Sequence, residues 1–160
     1  MKKLLFLFML PALVFSQEDI ERYKIYPTEN IYTSLLLDTA LGKIWQLQIG
    51  IGDTDSMKTV LSDVERCMTI DEVNKYYEAE LKWWEEEYSV DPENSAEDIE
   101  LKKPKMEDAL NTFNYEKNGK FKLYPTGNMY NFIMVDVESG NTWQVQWSTE
   151  KNQRLVLPIY

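Results

Sequence analysis

Two segments of this chain carry the same order of apolar and polar positions. Residues 22–50 and 120–148 align without a gap at a constant offset of 98 positions. In each copy an alternating stretch is followed by an almost continuous apolar run, a short turn ending in glycine, and a second alternating stretch. The identical aligned residues are Lys24/Lys122, Tyr26/Tyr124, Pro27/Pro125, Thr28/Thr126, Asn30/Asn128, Tyr32/Tyr130, Asp38/Asp136, Gly42/Gly140, Trp45/Trp143, Gln46/Gln144 and Gln48/Gln146. This density of matches indicates a duplicated structural unit.

The pattern within each copy predicts strands. In the first copy, residues 22–28 and 43–49 alternate between apolar and polar side chains, as a half-buried strand does. Residues 32–38 instead form a run typical of a strand that is covered on both faces. The second copy keeps the same alternation, so three strands are predicted in each unit.

A hairpin and a fourth strand complete each predicted unit. Asp38 and Gly42 indicate a tight turn, because aspartate accepts backbone N–H bonds and glycine adopts positive φ. Residues 57–61 fit either a short helix or a strand. The strand is favoured because Pro158 lies in the equivalent segment of the second copy, and proline disrupts a helix. Each unit is therefore predicted to be a four-stranded antiparallel meander.

The segment between the two copies has a helical period instead. Its apolar side chains recur at spacings of three to four with charged residues between them: Val73, Tyr77, Leu81, Trp84 and Tyr88. This pattern predicts an amphipathic helix over 71–88, capped by Thr69, whose apolar stripe packs on a sheet face. A polar loop with at most one helical turn is predicted over 89–100, and a second short helix over 104–113.

Together these elements predict an α+β fold in which two repeated antiparallel β-meander units pack together, with an acidic helical insertion between them. The predicted boundaries are a signal peptide at 1–16, a first β-repeat at 17–62, the helical segment at 63–112 and a second β-repeat at 113–160. Residues 17–160 are expected to form one compact domain. Each meander has too few strands to be stable alone, so the units are expected to pack about an approximate two-fold axis.

The first residues have the form of a secretory signal peptide. Lys2 and Lys3 precede an apolar run from Leu4 to Phe15, and Ser16 comes before a polar stretch. Because the run is too short for a stable anchor, cleavage after Ser16 and export to the periplasm or the exterior are predicted. No cysteine follows the run directly, so no membrane anchor is expected after cleavage.

Negative charge is concentrated in the helical insertion. Between residues 63 and 100 there are fourteen acidic residues against Arg66, Lys75 and Lys82, a net charge of −11. The formal net charge of the whole chain is −10, so the two repeats are close to neutral. Nucleic acid and anionic membranes are excluded as expected partners, because a phosphate surface requires a basic face.

The sequence contains few groups that catalyse reactions. It has no histidine, a single cysteine (Cys67) and no glycine-rich phosphate loop, so no metal and no cofactor are predicted. Cys67 is interpreted as a small buried apolar residue. Asp38 and Asp136 are candidates for the acid and base of a carboxylate-dependent glycan hydrolase, although capping their own hairpins is the more economical role.

A polar face is the main candidate for binding. Tyrosines and glutamines recur at matching strand positions of both copies: Tyr26, Gln46, Gln48, Tyr124, Gln144 and Gln146. Strand alternation separates these glutamines from the neighbouring tryptophans, so they are expected outside the apolar core. Amides beside tyrosine rings would suit a glycan or an extended peptide. The alternative is that both copies inherited a face that is merely solvated.

The hairpins of both copies resemble a known structural unit. The segments LDTALGKIW and VDVESGNTW are similar to the aspartate, glycine and tryptophan hairpin of quinoprotein-type β-propeller blades. The longer pattern YPT-x-N-x-Y through WQ-x-Q resembles small exported proteins of gut Gram-negative bacteria. The first resemblance implies a blade-like meander without a closed propeller or a quinone, since two units are too few. The second implies export and carries no catalytic residues.

These observations favour a non-enzymatic, exported binding or interaction protein. Its expected partner is a glycan or a protein. Two alternatives belong to other classes: the carboxylate-dependent glycan hydrolase, and a protein inhibitor that presents the acidic helix to its target.

Overall fold

Two antiparallel sheets form the body of the protein in a computed structural model that describes residues 20–160. Each sheet has four strands in chain order. The first contains β1 (Tyr23–Pro27), β2 (Thr33–Asp38), β3 (Ile44–Gln48) and β4 (Met57–Ser62), and the second contains β5 (Phe121–Pro125), β6 (Asn131–Asp136), β7 (Thr142–Gln146) and β8 (Leu155–Ile159). The predicted meanders, including the fourth strand, are confirmed. The predicted signal peptide, 1–16, lies outside the described residues.

The hairpin turn between the second and third strands is the same in both units. Asp38 Oδ1 accepts bonds from the N–H groups of Ala40 and Leu41, at 3.0 and 3.1 Å. Asp136 Oδ1 accepts the equivalent pair of bonds at 2.9 and 3.2 Å. Gly42 and Gly140 follow with φ of 74° and 76°, the left-handed region that favours glycine. The hairpin is therefore stabilised by its own sequence, as the aspartate and glycine pattern predicts.

The two sheets pack face to face, and they use opposite faces to do so. The first sheet buries the side that carries Leu35, Leu37 and Ile44. At the equivalent positions the second sheet has exposed or half-buried residues, and it buries its other side. The residues of that buried side are Phe121, Leu123, Phe132, Met134, Val145 and Trp147. A two-fold axis would bring equivalent faces together, so the predicted two-fold arrangement is wrong. The sheets are stacked head to tail, which means here that the face buried by one sheet is not the equivalent of the face buried by the other.

The insertion between the sheets is helical, as predicted. Its helices are α1 (Ile70–Trp83), which continues as a π-helical turn over Trp84–Tyr88, α2 (Ala96–Leu101) and α3 (Met106–Thr112). Thr69 caps α1 through a capping box: its hydroxyl accepts a bond from the Glu72 N–H, and the Glu72 carboxylate accepts one from the Thr69 N–H. The second helix, six residues long, exceeds the single turn predicted there.

The helices pack on one another more than on the sheets. The ring of Tyr76 in α1 lies 4.6 Å from that of Phe113, next to α3, in an edge-to-face arrangement. Contacts between helices are made chiefly by α1 and α3. The expectation that the stripe of α1 lies on a sheet face is wrong, because α1 packs beside α3 and none of its residues belongs to the core between the sheets. Among the described residues, no helix is long and apolar enough to cross a bilayer.

Candidate functional site

Within residues 20–160, head-to-tail stacking leaves one face of each sheet uncovered. The open face of the first sheet is defined here by Tyr23, Ile25, Leu36, Trp45, Leu47, Lys58 and Val60. The open face of the second sheet is defined by Lys122, Tyr124, Ile133, Val135, Thr142, Gln144, Leu157 and Ile159. Apolar residues predominate on both, and Ile25, Val60 and Leu157 are each more than half exposed.

The six predicted binding residues are divided between a covered face and an open one. Tyr26 and Gln48 are half-buried on the side of the first sheet that meets the second sheet. Gln46 lies on the same side and is 1% exposed. The expectation that the glutamines stay outside the core is therefore wrong for Gln46. Strand alternation shows which side chains share a face of the sheet. It does not show which face is covered, because that depends on the second sheet, nearly a hundred positions further along the chain.

The three predicted residues of the second unit lie in a more open environment. Tyr124 is about half exposed, and Gln144 and Gln146 are half-buried. Gln144 Nε2 is 3.4 Å from Asn131 Oδ1, a long hydrogen bond, and most of its amide capacity remains for other partners. Gln146 Nε2 donates to the backbone oxygen of Gln153 at 2.8 Å, so this amide helps to hold the turn before β8.

A shallow cavity lies beside Gln144 on the second sheet. Its lining combines hydroxyl and amide groups with apolar side chains: Thr126, Asn131, Phe132, Ile133, Gln144 and Ile159. Its volume is about 250 Å³. Sequence reasoning missed Asn131, Ile133 and Ile159. Ile133 lies in the apolar run of the second copy, a pattern that predicts cover on both faces of the strand, but the structure leaves its side chain 36% exposed.

A second cavity of about 250 Å³ lies where the two YPT turns meet. It is lined by Pro27 and Thr28 of the first unit and by Pro125, Thr126 and Asn128 of the second. The threonines hold their turns in the same way: Thr28 Oγ1 is 2.8 Å from the Thr33 oxygen, and Thr126 Oγ1 is 3.0 Å from the Asn131 oxygen. Both threonine hydroxyls are therefore occupied by hydrogen bonds within their own turns. The adjacency of these two repeat-related turns does not by itself indicate a binding site.

The hydrolase candidates Asp38 and Asp136 are buried, with exposures of 2% and 1%. Each carboxylate caps its own hairpin, and Asp38 also pairs with Arg22 at 3.3 Å. Arg22 in turn pairs with Glu116 at 3.1 Å, which ties the end of the insertion to the first sheet. Catalytic carboxylates need access to a substrate, whereas these two are occupied by backbone N–H groups.

Cys67 is half-buried and packs against the core. Its Sγ lies 3.2 Å from the backbone oxygen of Ala40, to which the thiol donates. Burial raises the pKa of this thiol to about 11, so the reactive thiolate is scarce near neutral pH. Within residues 20–160, no cluster of three or more His, Cys, Asp or Glu side chains is arranged to hold a metal ion.

No protein-family model, curated protein or solved structure matches this chain in a comparison of its sequence and fold.

Proposed function

We propose that this protein is an exported, non-enzymatic binding protein that holds an extended peptide or a neutral glycan on the open face of its second sheet. The observation that supports this role is the cavity beside Gln144. It presents the amides of Gln144 and Asn131 next to the apolar side chains of Ile133 and Ile159. A small number of polar groups in an apolar setting is typical of ligand sites.

The chemistry of this face favours a neutral ligand. Amides donate and accept hydrogen bonds without carrying charge, which matches the hydroxyls of a sugar or the backbone of a peptide. Tyr124 adds a half-exposed ring, which offers flat apolar area at a low cost in side-chain entropy. Lys122 is the one charged residue among those that define the face, so a strongly anionic ligand is not required.

Retention on arrays of neutral glycans and extended peptides tests the proposal. Labelled protein spanning residues 17–160 should be retained by a subset of either array. Gln144→Thr should reduce retention about fivefold, since one hydrogen bond contributes on the order of 1 kcal/mol. Tyr124→Ala should reduce it about five- to tenfold, since it removes the apolar ring area offered to the ligand. Gln48→Thr is the matched control, because Gln48 faces the first sheet's covered side and should leave retention unchanged.

Two results would contradict the proposal. One is the lack of any retention by folded protein on both arrays. The other is retention that Gln144→Thr and Tyr124→Ala leave at the level of the unchanged protein, because the ligand would then lie elsewhere.

A further inference from the structure

Equivalent positions of the two repeats differ sharply in burial. On the second sheet, Phe121 and Leu123 belong to the core, with exposures of 0% and 4%. Their equivalents on the open face of the first sheet, Tyr23 and Ile25, are 52% and 59% exposed. The difference arises because the second sheet has a neighbour on this side and the first sheet has none among the described residues.

The exposed positions nevertheless keep the apolar character of their buried equivalents. On the first sheet and just beyond β3, the exposed or half-buried residue and its buried counterpart are Tyr23/Phe121, Ile25/Leu123, Leu36/Met134, Leu47/Val145 and Ile49/Trp147. The solvent-exposed face of an antiparallel sheet normally carries polar residues, which alternate along each strand with the apolar residues of the buried face. Except for Ser34, which occupies the position of the buried Phe132, and for Lys58, this face instead has the composition of the surface that the second sheet buries inside the molecule.

The open face of the second sheet, in turn, resembles the face that the first sheet buries. Ile133 and Val135 correspond to Leu35 and Leu37, which are fully buried against the second sheet. Gln144 corresponds to the buried Gln46. The second sheet thus displays a copy of the surface that the first sheet uses for internal packing. Exposed apolar patches of this kind mark interaction sites.

We infer that a second copy of this chain covers these faces, with the open face of the first sheet in one copy packed on the open face of the second sheet in the next. The contact would repeat between molecules the head-to-tail packing that joins the two sheets within one molecule. Such an interface is heterologous: the two surfaces differ, so copies add in one direction and form a ring or an open filament.

One backbone bond supports this geometry. Inside the molecule, the N–H of Phe121 donates to the oxygen of Thr39 in the first hairpin at 2.8 Å. The equivalent bond between copies would join the N–H of Tyr23 to the oxygen of Val137. Thr39 is covered by the second unit, whereas Val137 is 47% exposed. This exposure is expected if the second hairpin contacts an equivalent unit only when another copy of the chain binds.

The interface between copies should be weaker than the internal one. Lys58 occupies the position of Val156, and its ammonium lies 4.3 Å from the centre of the Trp45 ring on the open face. Thr142 occupies the position of the buried Ile44. Both changes make the contact more polar, so assembly should depend on protein concentration. A copy and a peptide or glycan would also compete for the second sheet.

Two single variants test the inference by analytical ultracentrifugation of the chain spanning residues 17–160. The unchanged protein should increase in mean mass with concentration. Ile25→Lys disables the first sheet's open face and Ile133→Lys disables that of the second, so each variant alone should sediment as a monomer. An equimolar mixture should form a one-to-one dimer that grows no further, because each variant retains one competent face.

Val90→Lys, at an exposed position of the helical insertion, is the matched control and should assemble like the unchanged protein. Melting temperatures near that of the unchanged protein show that the variants fold. If either fails to fold, Val60→Lys or Leu157→Lys replaces it on the same face. Monomeric unchanged protein at all concentrations overturns the inference, as does a mixture that stays monomeric. A dimer of Ile133→Lys alone also overturns it, since that indicates a symmetric contact of first sheets.

The test is separate from that of ligand binding. Ile25→Lys leaves the second sheet's open face unaltered, so its retention on the glycan and peptide arrays reports ligand binding in the monomer. Retention by this variant with no assembly of the unchanged protein would remove only the inference about copies. Assembly without retention would remove only the proposed ligand.

Discussion

Gln46 lies between the two sheets, and neither atom of its side-chain amide has a hydrogen-bond partner within residues 20–160. Thr33 Oγ1, on the same face, is in the same situation. A buried amide without partners costs about 1–3 kcal/mol. Gln46 therefore opposes the stability of the interface at which it lies.

Replacing Gln46 by leucine should raise the free energy of unfolding by about 1 kcal/mol, because the change removes two polar atoms and keeps a similar volume. Urea denaturation measures the effect. Gln144→Leu is the matched control at the equivalent, half-buried position, and it should change stability little. A loss of stability in Gln46→Leu would show that the amide is satisfied, for example by buried water.

The decrease in stability at acidic pH should depend on Glu138. Its carboxylate pairs with Lys117 at 3.0 Å and with Lys120, whose side chain is almost fully buried. Hydrogen bonds from Lys120, and then from Lys117, lower the pKa of Glu138 below its usual value of 4.5. A carboxyl whose pKa is lower in the folded state stabilises the fold above the unfolded-state pKa, and this contribution is lost as the pH falls through the folded-state value.

Glu138→Gln should therefore lower the melting temperature at pH 7, and the difference should shrink as the pH falls below about 4.5. Thermal unfolding followed by circular dichroism across this range measures it. Glu150, an exposed carboxylate at the opposite end of the same sheet that forms no ion pair among the described residues, provides the control through Glu150→Gln. A difference that stays constant with pH would contradict the assignment.

At the scale of the element, two adjacent tryptophans at the end of α1 should behave differently. Trp84 is 9% exposed, whereas Trp83 is 55% exposed. Trp84→Ala should reduce the free energy of unfolding by about 3 kcal/mol, because it leaves a cavity in the helical insertion. Trp83→Ala, with the same chemical change, should cost less than about 1 kcal/mol. Similar losses from both would mean that the insertion packs differently.

The hairpins allow a fold role to be separated from a catalytic one. Asp136→Ala removes the acceptor of two backbone bonds and should cost about 1–2 kcal/mol, whereas Asp136→Asn keeps an acceptor oxygen and should cost less. Chemical denaturation of both variants checks this order. Turnover of a glycan that either variant abolishes without loss of stability would instead favour the hydrolase.

The elements could be predicted from the sequence because their signals are local. Thr69 and Glu72 are three residues apart and form the capping box, and Asp38 and Gly42 lie within one hairpin. The partner of the helix stripe could not be predicted, because periodicity shows that α1 has an apolar side without identifying what covers it. In the structure α1 packs beside α3, a helix that the sequence predicts from a separate pattern.

At the scale of the whole molecule, the arrangement of the two units was the part that sequence reasoning missed. Duplication suggested symmetry, but the symmetry of a sequence does not fix which faces meet. Tyr26 and Tyr124 are identical residues with different surroundings, one packed at the core and one exposed. The sequence identifies these residues as a repeated set, and their role in binding stays a prediction. Their division into a covered half and an open half follows only from the packing of the sheets.

A single unit should not fold alone. The fragment from Gln17 to Asp63 would expose Leu35, Leu37 and Ile44 in addition to the apolar residues of its open face. Circular dichroism and sedimentation should show an unfolded chain or a self-associating one, because a four-stranded meander with two wet apolar faces buries too little surface. A monomeric fragment that melts cooperatively would contradict this expectation.

The chain-order pairing of the strands also has a consequence for the speed of folding. Each sheet is a series of hairpins between neighbouring strands, so its contacts close short loops. Contacts between the sheets, such as the bond from the Gly119 N–H to the Thr39 hydroxyl, instead span 80 positions. Closing a long loop loses more chain entropy before any contact compensates for it. The meanders should therefore form early, and their docking should limit the refolding rate, so shortening the insertion would accelerate folding more than strengthening any hairpin.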